Sequence, residues 1–293
     1  MSTTAATATC AHVLLASTVI AKTSATHPNT TTLVLIHGLD STRFTWNAFI
    51  ERQQEKYNIV ALDLRGHGES SLGNAHDFTA SALAADVRHT LLHLNVPFPV
   101  ALVGHSMGGR IAMQYAADYP RDLAALIVED MDVKPRTVPS LSTADSELRR
   151  NFTRSFVTFE ATKEALLQWY NSTRIDGWKE DGRIFQRSDH TWHSGINPWA
   201  QHLAIKHVLG SEGVGVSEWV KCAEQQQEIN FPVFCFVAEK HSSVDPTNLI
   251  EMVAAVPRTA VVEFVGASHS IHNTCPDNAF DVKMSEIMQR LKG

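Results

Sequence analysis

The chain has 293 residues, 44% of them hydrophobic, which is ample for one large core. Its formal net charge is −6, and it holds no basic cluster of five or more residues, so nucleic acid and anionic membrane surfaces are poor partners. Nowhere does it approach the roughly 18 apolar residues that a membrane span needs.

Met1 to Ala11 offers neither a charged n-region nor the arginines of a transit peptide. Cys10, Cys222, Cys235 and Cys275 lack a C-x-x-C spacing, which argues for a reducing, cytoplasmic setting without a disulfide scaffold. Val13-Leu14-Leu15 and Thr18-Val19-Ile20 read as early strands. Thr32 to Ile36 is a β-branched apolar run, hence a buried strand, and it ends in His37-Gly38-Leu39-Asp40. Ile59 to Asp63 is a third strand, running into Leu64-Arg65-Gly66-His67-Gly68-Glu69-Ser70. There the glycines and the Asp63/Arg65 pair can fold a compact turn tied by charge-assisted hydrogen bonds, with His67 as scaffold. Ser81 to Leu92 has a helical pattern; His89 and His93 stand four apart but lack a third metal ligand at useful spacing, so they read as a solvated face and no metal is expected.

Pro99 to Val103 is a short apolar strand leading into Gly104-His105-Ser106-Met107-Gly108, and a helix-forming stretch, Arg110 to Ala117, follows Gly109. That is the strand, tight turn and helix that a G-x-S-x-G nucleophile requires, with glycines two before and two after the serine. The hydroxyl of Ser106 would stand at a helix N-terminus, where backbone N–H groups and the helix dipole favour developing negative charge. One N–H is too few for a tetrahedral oxyanion, so the hole is assigned to the backbone N–H groups of Met107 and Leu39.

The next strand, Ala124 to Val128, ends in Glu129-Asp130. A long segment of different composition then intervenes, dividing the chain into core (1–132), helical cap (133–230) and core again (231–293). It opens with Pro135 and Pro139, continues through helical stretches at Leu148 to Phe159 and Thr162 to Tyr170, and gathers aromatic residues. An insertion at the carboxyl side of the sheet would sit over the nucleophile, which makes Trp169, Trp192 and Phe156 candidates for substrate contact. His190, His193, His202 and His207 in this region read as solvated. Val233 to Ala238 is a strand with Cys235 as a small core residue, and Thr259 to Val265 is the last strand before Gly266-Ala267-Ser268-His269-Ser270-Ile271-His272. A serine nucleophile needs a base that titrates near neutrality. His269 has the right place in chain order, and His272 reads as packing behind the loop.

Taken in order, His37-Gly38, the run Asp63 to Ser70, Gly104 to Gly109 and Gly266 to His269 resemble the motifs of the α/β-hydrolase fold family, in its small, cap-bearing, esterase-like form. The resemblance spans roughly residues 12 to 290. It implies an α/β-hydrolase fold: a mostly parallel sheet flanked by helices, with an inserted helical cap. It also implies a Ser-His-Asp triad acting through an acyl-enzyme, with no cofactor. The family usually draws its acid from the loop after the strand second from the nucleophile, but here His241 stands in that place, with Asp245 beyond it. Other members draw the acid from the preceding strand, and Asp130 follows Ser106 by 24 residues. Asp130 is therefore the first choice, Asp245 the alternative and Glu129 the third. The expected substrate is a small-molecule ester with a small apolar acyl group. Transfer to an alcohol, carbon–carbon bond hydrolysis and a non-catalytic receptor remain alternatives.

Overall fold

The computed structural model describes residues 12–21, 31–74, 76–210 and 230–291; the readings at Met1 to Ala11, Cys10 and Cys222 lie outside them. In chain order the strands are β1 (Ser17–Ile20), β2 (Leu33–Ile36), β3 (Ile59–Leu62), β4 (Val100–His105) and β5 (Leu123–Glu129). They continue with β6 (Ser155–Phe156), β7 (Ile184–Gln186), β8 (Trp192–Ser194), β9 (Val233–Ala238) and β10 (Thr259–Phe264). Seven of them form one sheet in the order β1-β3-β2-β4-β5-β9-β10. β1 runs antiparallel to β3, and all other neighbours are parallel.

Every residue of β2, β3 and β4 is buried, as expected of parallel strands covered on both faces. Alternate side chains enter two separate cores. Val34, Ile36, Val60, Leu62 and Leu102 pack on one side, under α2 (Ala80–His93) and α3 (Met107–Asp118). Leu33, Leu35, Ile59, Ala61 and Val103 pack on the other with Phe49, Phe280 and Met284, carried by α1 (Asn47–Gln53) and the C-terminal helix (Ala279–Arg290). Because the strands are parallel, the loops after β2, β3, β4, β5, β9 and β10 all emerge at one edge, where such sheets build their sites.

Three local expectations are corrected. Val13 to Leu15 is not a strand: the Val13 N–H donates to Asp86 Oδ1 (2.8 Å) and the Leu15 N–H to Thr90 Oγ1 (3.0 Å), so α2 side chains take the donors a ladder would use. Asp63 and Arg65 do not pair with each other. Asp63 takes the guanidinium and the N–H of Arg43, whereas Arg65 Nε lies 2.5 Å from Asp86 Oδ2. Both pairings are buried and long-range. Arg43→Met should therefore destabilise the fold by about 3 kcal/mol, because it strands the Asp63 carboxylate in the core; urea unfolding measures this, and a loss under about 1 kcal/mol would refute it.

The third correction concerns the region between β5 and β9. It carries helices α4 (Thr143–Arg150), α5 (Phe159–Leu166), α6 (Ser172–Glu180) and α7 (Pro198–Ala204), and also a small antiparallel sheet, β6-β8-β7. α4 stops at Arg150, short of the expected Phe159. The Arg154 guanidinium donates to the carbonyls of Ser194 (3.0 Å) and Ser70 (3.0 Å) and draws the chain out as β6. α5 starts before Thr162 because the Thr158 hydroxyl caps it, accepting the Ala161 N–H at 3.1 Å. No helix among the described residues is long and apolar enough to cross a membrane.

Candidate active site

Ser106 sits between β4 and α3 with φ 53° and ψ −122°, a conformation costly for a residue with a side chain and characteristic of functional turns. The chain can turn this tightly only because of its glycines. A Cβ on Gly104 would come within 2.3 Å of the Gly108 carbonyl oxygen, and one on Gly108 within 2.5 Å of the His37 carbonyl oxygen. The second contact presses the loop after β2 against the serine turn. Gly104→Ala should accordingly cost about 3 kcal/mol through overpacking, and an unfolding midpoint equal to that of the parent would refute this.

His269 lies in the loop after β10. Its Nε2 is 2.9 Å from Ser106 Oγ and its Nδ1 is 2.6 Å from Asp130 Oδ2, so the serine hydroxyl donates to the imidazole and the imidazole N–H donates to the carboxylate. Asp130 also accepts the Ala238 N–H (2.9 Å), the Ser242 hydroxyl (2.6 Å) and the Ser243 N–H (2.9 Å). Burial alone pushes its carboxyl up. The hydrogen bonds from His269, Ala238, Ser242 and Ser243 outweigh burial and hold it below the usual carboxylate range. Since the folded value lies below the unfolded one of about 3.9, the stability this group adds is fully present above about pH 4 and drains away as pH falls through the folded value. The difference in unfolding free energy between the parent and Asp130→Asn should therefore shrink on acidification below about pH 4; a difference constant with pH would refute this.

The other acids nominated from sequence are engaged elsewhere. Asp245 caps the helix Pro246–Ala255, accepting the Thr247 N–H at 2.9 Å, and its carboxylate is 3.1 Å from Lys134 Nζ. Glu129 accepts both the N–H (3.0 Å) and Nδ1 (2.7 Å) of His272. His272 is buried, stacked on Trp46 at 4.0 Å, with Thr45 Oγ1 3.1 Å from Nε2. His241 is exposed. Sequence reading missed Ser242 and Ser243, although they occupy the very loop where the family usually keeps its acid. That loop here supplies donors to a carboxylate from the neighbouring strand.

Around the loop after β2, His37 donates from Nδ1 to the Gly38 carbonyl (2.7 Å) and accepts the Leu64 N–H at Nε2 (3.0 Å). Burial pushes it down to about 3, so it is neutral, as this donor and acceptor pattern requires. His67 is buried likewise and bonds the Arg65 carbonyl at 3.0 Å. Buried His105, pushed down to about 3 by burial, donates from Nε2 to the His269 carbonyl at 3.0 Å. Met107 is buried at the head of α3, and Leu39 is half-buried next to Gly38.

The aromatic candidates lie within the inserted region. Trp169 and Trp192 pack on its own core of Leu166, Tyr170, Ile175, Trp178, Ile184 and Ile196. Trp169 Nε1 donates to Asp145 (3.1 Å), and Phe156 meets the Phe152 ring at 5.9 Å. Of the histidines read as solvated, His193 is instead buried, 3.0 Å from the Gly68 carbonyl.

Comparison with known proteins agrees with this architecture. Residues 31–274 match the family described as alpha/beta hydrolase fold. Protein phosphatase methylesterase 1 of Mus musculus is 44% identical over 91 residues, which cover 29% of this chain and 23% of that protein. The chain thus aligns with less than a third of the length of that relative. A marine microorganism esterase superposes with a TM-score of 0.69 at 18% identity, covering 94% of this chain and 99% of the other. A thermophilic esterase from Thermogutta terrifontis superposes with a TM-score of 0.64 at 20% identity, covering 96% and 95%. At these identities the two structures speak for the fold.

Proposed function

The chain belongs to the alpha/beta hydrolase fold family, and from that premise we propose that it is a serine hydrolase cleaving small carboxylic esters with apolar acyl groups. The observation that carries this reading is the unbroken hydrogen-bond chain from Ser106 Oγ through both nitrogens of His269 to Asp130. A serine hydroxyl is a weak nucleophile until a base stands ready for its proton. In this reading Oγ attacks the ester carbon as His269 Nε2 takes the hydroxyl proton. The carbonyl electron pair moves to oxygen, where the N–H groups of Leu39 and Met107 receive it. Collapse of that intermediate breaks the ester C–O bond, and the departing alkoxide takes the proton from His269. Water then repeats the sequence: His269 removes its proton, its oxygen bonds the acyl carbon, and Ser106 leaves with the proton restored. Asp130 keeps the imidazole in the tautomer with Nε2 free and stabilises the imidazolium.

The imidazole is 34% exposed, which favours water over an alcohol as acceptor. The methylester chemistry in the name of the murine relative agrees with an ester substrate. Short-chain p-nitrophenyl esters should turn over with kcat of roughly 1–10³ s⁻¹ for a good substrate. Turnover at background across a broad ester panel would overturn the hydrolase reading, and product formation that depends on added alcohol would replace it with acyl transfer.

A further inference from the structure

Asp40 follows Leu39 in the loop after β2. Its side chain is 3% exposed and its φ is +50°, in the left-handed region. Four donors converge on it. Tyr170 Oη lies 3.2 Å from Oδ1, while Arg174 Nη2 (3.0 Å) and Gln201 Nε2 (2.8 Å) reach Oδ2. Arg183 Nη1 donates to the backbone carbonyl at 2.8 Å. All four belong to the inserted region: Tyr170 from the connection between α5 and α6, Arg174 from α6, Arg183 from the turn before β7 and Gln201 from α7.

A buried carboxylate costs several kcal/mol unless it is paired and hydrogen-bonded, and a loop that merely turns has no need of one. Burial pushes the Asp40 carboxyl up, and Arg174, Gln201 and Tyr170 work against that. The hydrogen-bonded Asp40 carboxyl therefore exists only with the inserted region seated on the core. Leu39 is its covalent neighbour, and Arg183 fixes the carbonyl that follows Leu39 by one residue. The placement of the Leu39 N–H thus depends on contacts made by a different part of the fold.

We propose that Asp40 is a positioning residue: it clasps the inserted region to the loop carrying Leu39, and so aligns the second oxyanion donor only when that region is docked. This rests on the acyl-transfer reading above and on Leu39 as donor. Misalignment of a preorganised donor weakens the transition state more than the bound ester, which separates this role from a rivet holding two layers together.

The test uses the full chain with two variants, Asp40→Asn and the double variant Tyr170→Phe/Gln201→Leu, which removes two of the clasp's donors without touching the loop. Both are assayed with a p-nitrophenyl ester well below their unfolding midpoints, and with a trifluoromethyl ketone as mimic of the tetrahedral adduct. In each, kcat should fall about 10–100-fold, short of the 10²–10³ lost when such a donor is deleted outright. KM should stay within about twofold, and ketone affinity should fall in step with kcat/KM. Combining the variants should cost little more than Asp40→Asn alone, since both break one unit. Unchanged kcat with a lowered midpoint, or a raised KM with kcat intact, overturns the proposal. A parent protein without ester turnover or Ser106 labelling overturns the acyl-transfer reading and this inference with it, whereas an active parent with unaffected variants overturns this inference alone.

Discussion

Ser106→Ala should lower ester turnover by about 10⁶-fold, the scale seen when the nucleophile of a triad is removed. The size follows from what is lost. No other hydroxyl among the described residues has Nε2 of His269 at hydrogen-bond distance, and the strained turn that presents Ser106 offers alanine nothing to attack with. What survives is binding and the oxyanion donors, which act on water only feebly. A fluorophosphonate probe should add mass to the peptide containing Ser106 in the parent and to none in the variant. Labelling at another residue, or turnover within tenfold of the parent, would remove Ser106 from the mechanism.

Asp130→Asn should cost about 10⁴ in kcat, while Asp245→Asn should leave turnover within a factor of about three. The asparagine is isosteric, so the fold remains, but an amide N–H facing Nδ1 of His269 favours the opposite tautomer. Nε2 is then protonated and cannot accept the serine proton. Asp245 caps a helix and meets Lys134 at the surface, roles that an asparagine cap largely keeps and that do not touch His269. Matched stopped assays of the two variants decide between them. Equal losses, or the larger loss at Asp245, would exclude Asp130 as the orienting acid.

The frame was legible where one physical cause dominates. Leu33 to Ile36, Ile59 to Leu62 and Val100 to Val103 are apolar without interruption because both faces of those strands are covered. Gly104 and Gly108 announce the serine turn because no larger residue fits against the backbone there. Order and spacing single out Ser106 and His269, and the family resemblance adds Asp130; the structure has them within hydrogen-bond distance in series. Other features left no local trace. Arg43 could have paired with several carboxylates, and its choice of Asp63 depends on the fold. β6 has only two residues and exists because Arg154 reaches carbonyls far away in the chain. The convergence on Asp40 joins residues more than 120 positions apart, beyond any periodicity.

Neighbouring Glu129 and Asp130 hold His272 and His269, the first in the short helix Ile271–Thr274 and the second in the loop before it. The pairing of β5 with its neighbours sets Glu129 opposite His105 and Phe236. A slip of β5 by one position would bring Glu129 to the place of Asp130 and Val128 to that of Glu129, or Asp130 to the place of Glu129 and Met131 to that of Asp130, so one histidine would lose its carboxylate and the other would meet one a methylene different, breaking both pairs at once. The activity recovered per milligram after refolding therefore reports how faithfully the central strands have found their alignment, and a population that regains its secondary structure without that alignment would be recognised by its silence towards substrate.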